Sequence, residues 1–145
     1  MLRLRGEPFT QGRSKFADHA PGSRELTAKV YIRVQLGLDR PLLAQLDTGA
    51  AWSVLDPTVA RSLGSSVEWL NTAVMGTRFG TMSGRLAQVP VTFPAEEGEP
   101  LTTVGTFFVS DDWPVGLTFL GYSGLLDSIR FALDPQANDF YFGLP

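Results

Sequence analysis

The chain has 145 residues, 43% of them hydrophobic and 19% charged, and its 12 basic and 15 acidic side chains leave a formal charge of −3. That length suits one domain with a modest core, burying roughly two-thirds of its extended-chain surface, and a charge so near neutral argues against nucleic acid or an anionic membrane as the main partner. With no cysteine, disulfides, thiol nucleophiles and thiolate metal sites are excluded together.

Residues 1 to about 25 mix Arg3, Arg5, Arg13 and Lys15 with Gly6, Pro8, Gly12, Pro21 and Gly22 and show no sustained periodicity. They read as a loosely ordered N-terminal arm, with one domain expected over 26–145. Met1–Gly6 is not followed by a secretory apolar stretch, and no apolar run is long enough to span a membrane, so a soluble, cytoplasmic chain is expected. The single histidine, His19, sits in Asp18-His19-Ala20-Pro21-Gly22, which reads as a loop. A lone imidazole there builds neither a catalytic triad nor a zinc site.

From Ala28 the chain alternates, placing Val30, Ile32, Val34 and Leu36 on one face and Lys29, Tyr31, Arg33 and Gln35 on the other, as in a half-buried strand. Gly37–Pro41 turns it back into Leu42–Leu46, which delivers Asp47 to the end of a hairpin. An ionised carboxylate among apolar neighbours is costly unless it is hydrogen-bonded, neutralised or matched with a partner, so Asp47 is the residue to explain. Thr48 offers a hydroxyl and Gly49 a tight turn before Ser53-Val54-Leu55 resumes as strand. Asp56 is placed as N-cap, Pro57 as first helical residue and Gly64 as terminator of a short helix.

Val67–Leu70, Ala73–Phe79 and Leu86–Phe93 read as strands, and Gly80–Arg85 between the last two as a glycine-flanked hairpin tip. Pro94–Pro100 is a solvated acidic turn. Leu101–Ser110 is β-rich, with Phe107, Phe108 and Val109 supplying core. Asp111-Asp112 lacks the further oxygen ligands a calcium site needs. Phe131–Asp134 and Asp139–Phe142 form a closing hairpin around Pro135–Asn138. The order strand, apolar segment, glycine, helix occurs twice, loosely, in residues 27–64 and 101–130, as two similar halves packed face to face would require. Only the first half carries an acid at its loop.

Leu46-Asp47-Thr48-Gly49-Ala50, its return strand, and the later Thr118-Phe119-Leu120-Gly121 leading into Tyr122–Arg130 resemble the active-site loop and second motif of retropepsin-like aspartic peptidases, the single-domain kind found in retroviruses and bacterial relatives. The resemblance runs from about Thr27 to Phe142. It implies a mostly β, small closed barrel-like domain with one or two short helices, one of them after Gly121. Hydrolysis by carboxylates alone needs one acid ionised to activate water and another protonated to polarise the carbonyl. This chain has one Asp-Thr-Gly, so the resemblance implies a homodimer in which Asp47 supplies both carboxylates across a two-fold axis. Thr48 would then hydrogen-bond across the axis, and Gly49 would allow close approach to substrate. The hairpin at 80–85 would be a flap over a bound peptide or protein substrate, with Ala50, Val54, Thr81, Met82, Leu117 and Phe119 lining its pockets and neither metal nor cofactor needed.

Two positions depart from the retroviral pattern. An acid and an arginine that pair near that interface are replaced by Ala51 and Tyr122, so different dimer contacts are expected, from the arm or the terminal Phe140-Tyr141-Phe142 strand. Ala50 cannot hydrogen-bond the acid as a serine could, which implies activity at less acid pH. The alternative readings are a non-catalytic peptide-binding or dimerisation domain of the same fold, and a small β interaction module in which Asp-Thr-Gly is a coincidental turn.

Overall fold

A computed structural model describes residues 1–20, 22–24, 29–37, 41–78 and 80–145. The expected start of the domain at residue 26 and most of the expected 37–41 turn lie outside them. Strands β1 (Arg3–Leu4), β2 (Glu7–Pro8), β3 (Gly12–Lys15), β4 (Val30–Val34), β5 (Leu42–Leu46) and β6 (Ser53–Val54) precede helix α1 (Pro57–Leu63). They are followed by β7 (Glu68–Thr77), β8 (Gly80–Phe93), β9 (Glu97–Gly98), β10 (Leu101–Val109), β11 (Thr118–Leu120), β12 (Arg130–Asp134) and β13 (Asp139–Gly143).

The alternation expected in β4 is realised: Ile32, Val34 and the following Leu36 are fully buried while Arg33 is exposed. Tyr31, on the other face, is also buried, at a point where its backbone bridges to Ala17. Helix α1 starts where its capping chemistry places it. Asp56 accepts from the Thr58 N–H (2.7 Å), Pro57 is the first helical residue, and Gly64 closes the helix at φ 55°. Its buried face is Ala60 and Leu63.

The main sheet has the order β4-β5-β11-β6-β10-β8-β7. Strand β11 therefore lies between β5 and β6, the two strands that flank the acid loop, parallel to the first and antiparallel to the second. Among the described residues the expected barrel closes through an isolated bridge rather than a full strand ladder: Gln35, just past β4, exchanges two backbone hydrogen bonds with Thr92 of β8 (2.8 and 2.9 Å). In the strand order β4 and β7 stay at opposite edges of the sheet. Only Arg85–Phe93 of β8 pairs with β10; its first residues run on with β7 as a projecting hairpin. What read as two strands at 67–79 is the single β7, with a register shift between Trp69 and Thr72.

A second sheet has the order β12-β13-β3-β9. Two expectations change here. Residues 12–15 are an inner strand of this sheet rather than part of a loose arm: Gly12, Ser14 and the following Phe16 turn inward, and Arg13 and Lys15 turn out. Strand β13, expected to offer dimer contacts, is hydrogen-bonded on both edges within the chain, and Phe140 and Phe142 are fully buried. These two rings and Phe93 stand 5.7 to 5.8 Å apart between centroids. Burying each contributes on the order of 2–3 kcal/mol. Over this sheet Asp139 meets Lys15 (2.6 Å) and Arg13 (2.7 Å), and Arg13 also reaches Glu97 (2.6 Å), so the acidic turn at 94–100 is tied down by an ion pair. The helix expected after Gly121 is a single 3-10 turn at Leu126–Ser128, since Gly124 takes φ +79° and Ile129 is extended. Among the described residues, no helix is long and apolar enough to cross a membrane.

Candidate active site

The acid loop is built by backbone before any side chain acts. Leaving β5, the Asp47 N–H donates to the Leu120 carbonyl of β11 (2.9 Å), and the Ala50 N–H returns to the Asp47 carbonyl (3.1 Å), closing a tight turn. The Tyr122 and Ser123 N–H groups then donate to the Ala50 and Ala51 carbonyls, each at 2.9 Å. The chain beyond β11 therefore grips the loop's far side. Ser53, fully buried, completes the grip by accepting the Gly121 N–H on its Oγ (2.8 Å). Gly121 is required by contact: a Cβ there would lie 2.3 Å from the Trp52 carbonyl carbon and 2.6 Å from the Ser53 nitrogen.

Held this way, Asp47 is half-buried, and its Oδ1 accepts the Gly49 N–H (3.1 Å). It opens onto a cavity of about 420 Å³. One wall is the acid loop, with Asp47, Gly49, Ala50 and Ala51, backed by Val54 of β6. A second is the end of the β7–β8 hairpin, Met75 through Arg78. The third is an edge-to-face aromatic pair, Trp113 and Phe119, with ring centroids 5.2 Å apart. Lys29 and Gln45 complete the lining, and among the described residues Asp47 is the only acid in it. A carboxylate facing a peptide-sized, mostly apolar cleft covered by a β-hairpin can bind water and orient it toward an extended chain.

The structure has likenesses among solved protease structures. It is similar to a retropepsin-like aspartic protease from Rickettsia conorii, with 18% sequence identity, 90% of this chain and 87% of that one covered, and a TM-score of 0.49. It is also similar to EIAV protease complexed with the inhibitor HBY-793, with 26% identity, 72% of this chain and 92% of that one covered, and a TM-score of 0.45. No protein-family model matches the sequence, and no curated protein matches it.

Asp47, Gly49, Ala50, Val54 and Phe119, all singled out from sequence, meet in this cavity. Thr48 is exposed on the loop and outside the lining. Thr81 and Met82 lie outside it too, Thr81 exposed and Met82 buried. The hairpin turns earlier than expected: Thr77 pairs with Gly80, and the Thr77 Oγ1 donates to the Gly80 carbonyl (2.9 Å). Residues 80–85 are thus strand, and Gly76 and Met75, the partners of Thr81 and Met82, face the acid in their stead. The available signal was Gly80 itself, at φ +102°, a glycine that follows the turn instead of opening it.

Leu117 is displaced from the wall by Trp113, whose indole Nε1–H donates to the Leu117 carbonyl (3.1 Å) and draws the ring inward. Sequence reasoning missed Trp113, reading it only as part of a loop. It also missed Ser53 as more than strand, because the role of a buried hydroxyl depends on what lies across from it. Among the described residues, no group of three or more histidine or carboxylate side chains is placed to hold a metal ion.

Proposed function

We propose that this chain is an aspartic endopeptidase that works as a homodimer, with Asp47 from each copy forming the acid–base couple. The observation that carries the reading is Asp47, among the described residues the only acid lining its cavity, locked by backbone bonds between β5 and β6 and faced by the end of a β-hairpin. One such acid cannot both activate water and protonate the carbonyl oxygen. A second Asp47 brought beside it by a two-fold axis supplies the missing partner, the pair sharing one proton because double ionisation at close range is disfavoured. The loop residues that would meet at such an axis, Thr48, Gly49 and Ala51, are exposed, and so is Tyr122, which is bonded to the loop through its N–H.

In this scheme a peptide lies extended between the loop and the β7 end of the hairpin, and Thr48 steadies the opposite loop across the axis. Alternate side chains fall against Val54, Met75, Trp113 and Phe119. Neither metal nor cofactor is required, and the cytoplasm is the proposed compartment. The test is cleavage of a peptide library by wild type and by Asp47→Asn. Wild type is expected to cleave, with specific activity falling on dilution as the dimer dissociates, while Asp47→Asn loses activity by about three orders of magnitude or more. Equal background from both proteins, or full activity in a monomer, refutes the proposal.

A further inference from the structure

The end of the β7–β8 hairpin and Trp113 wall the cavity from the margin of the main sheet, whereas Phe119 stands on β11 within it. The hairpin end projects beyond β10, whose pairing with β8 stops at Arg85 and Val109. Trp113 is carried by the 110–117 connection, in which Asp111 and Asp112 are exposed and Trp113 is half-buried. The 110–117 connection and the β8 strand of the hairpin are tied together at a buried place.

That place is Ser110. The residue is only 3% exposed. Its Oγ donates to the Ser83 carbonyl of β8 (2.8 Å) and accepts the Asp112 N–H (3.2 Å), while its own carbonyl accepts the Trp113 N–H (3.2 Å). Ser83 stands opposite Val74, one step from the Met75 that lines the cavity. Beside it Gly84 is pressed against β10 so closely that a Cβ would lie 2.3 Å from the Val109 carbonyl oxygen. A largely buried hydroxyl that donates to one element and accepts from the other links their positions, since losing either bond leaves a polar group poorly satisfied.

Building on the peptidase reading, we propose that Ser110 is a positioning residue that couples the hairpin to the Trp113 wall, so that both close on a bound peptide in one movement. Asp47 and its loop take no part in this coupling, since their anchors are on β11. The hydroxyl touches no substrate; it sets how tightly the cleft holds one.

The test is amide hydrogen exchange on the whole chain, read beside steady-state kinetics. In wild type, the best-protected amides of 80–84 and 112–117 should share one opening free energy, because a single event frees both. In Ser110→Ala both segments should exchange about tenfold faster while β4 and β13 keep their wild-type rates. The same variant should raise KM about tenfold with kcat changed less than about twofold, and Ser110→Thr, which keeps the oxygen, should restore KM. Separate opening energies in wild type, acceleration confined to one segment or spread evenly through the domain, or an unchanged KM in Ser110→Ala overturns the coupling. Absence of cleavage by wild type refutes the peptidase reading instead, and the exchange rates still judge the coupling.

Discussion

Ser53→Ala tests whether the acid loop is held by the buried bond between its flanking strand and the chain beyond β11. The hydroxyl is inaccessible to solvent and takes the Gly121 N–H at 2.8 Å. Alanine removes the acceptor without enlarging the side chain, leaving a buried N–H facing a methyl group where water cannot follow. The cost of stranding such a donor is about 1–3 kcal/mol, which for a chain of this size lowers Tm by roughly 3 to 10 °C. Urea unfolding at a fixed protein concentration measures it, with an unchanged m-value showing that only stability has moved. Ser62→Ala is the matched control. It removes an exposed hydroxyl bonded to the Thr58 carbonyl (3.0 Å) on α1, where the change should stay within about 0.5 kcal/mol. If Ser53→Ala is as mild as Ser62→Ala, the bond contributes nothing that local rearrangement cannot replace.

Gly121→Ala acts at the same junction from the other side. With backbone atoms 2.3 to 2.6 Å from the new Cβ, it should cost about 3 kcal/mol, the upper end for overpacking, measured by the same unfolding curves. Asp56→Ala removes the cap of α1 and should cost about 1 kcal/mol, seen as a Tm shift without loss of the other elements. Acid stability should depend on the second sheet. Hydrogen bonds from Lys15 and then Arg13 hold the Asp139 carboxyl below its ordinary 3.8, and Arg13 holds Glu97 below its ordinary 4.5. Both groups are depressed in the folded chain, so the unfolded chain takes up protons first. Their contribution is whole above about pH 5 and is lost as pH falls through about 4 toward the folded-state values. A pH series of melting curves should therefore show a shallower acid limb in Asp139→Asn than in wild type; equal limbs would contradict the assignment.

The parts legible in the linear chain were those whose signals are local. The face of β4 follows from strict alternation of Val30, Ile32, Val34 and Leu36, and α1 from Asp56, Pro57 and Gly64 acting within one turn. The Asp47 loop was conspicuous because a carboxylate, a hydroxyl and a glycine interrupt an apolar run. The inner strand at 12–15 was missed since its inward positions are Gly12 and Ser14, small residues that carry no hydrophobic period. The hairpin turn was placed too late in the chain because Gly80 and Gly84 looked alike, although the first serves a turn and the second a close approach to β10.

Burial periodicity and capping depend on neighbours a few residues apart, and so they are written in the order of the amino acids. That Ser110 and Ser53 act as ties depends on pairings across 27 and 68 positions of chain, and that the β7 end of the hairpin and Trp113 wall the cleft depends on what the fold sets opposite Asp47. A hydroxyl or an indole has the same local signature wherever it stands. Its partner, and with it its role, exists only once β11 has been threaded between β5 and β6 and the hairpin has been laid against β10.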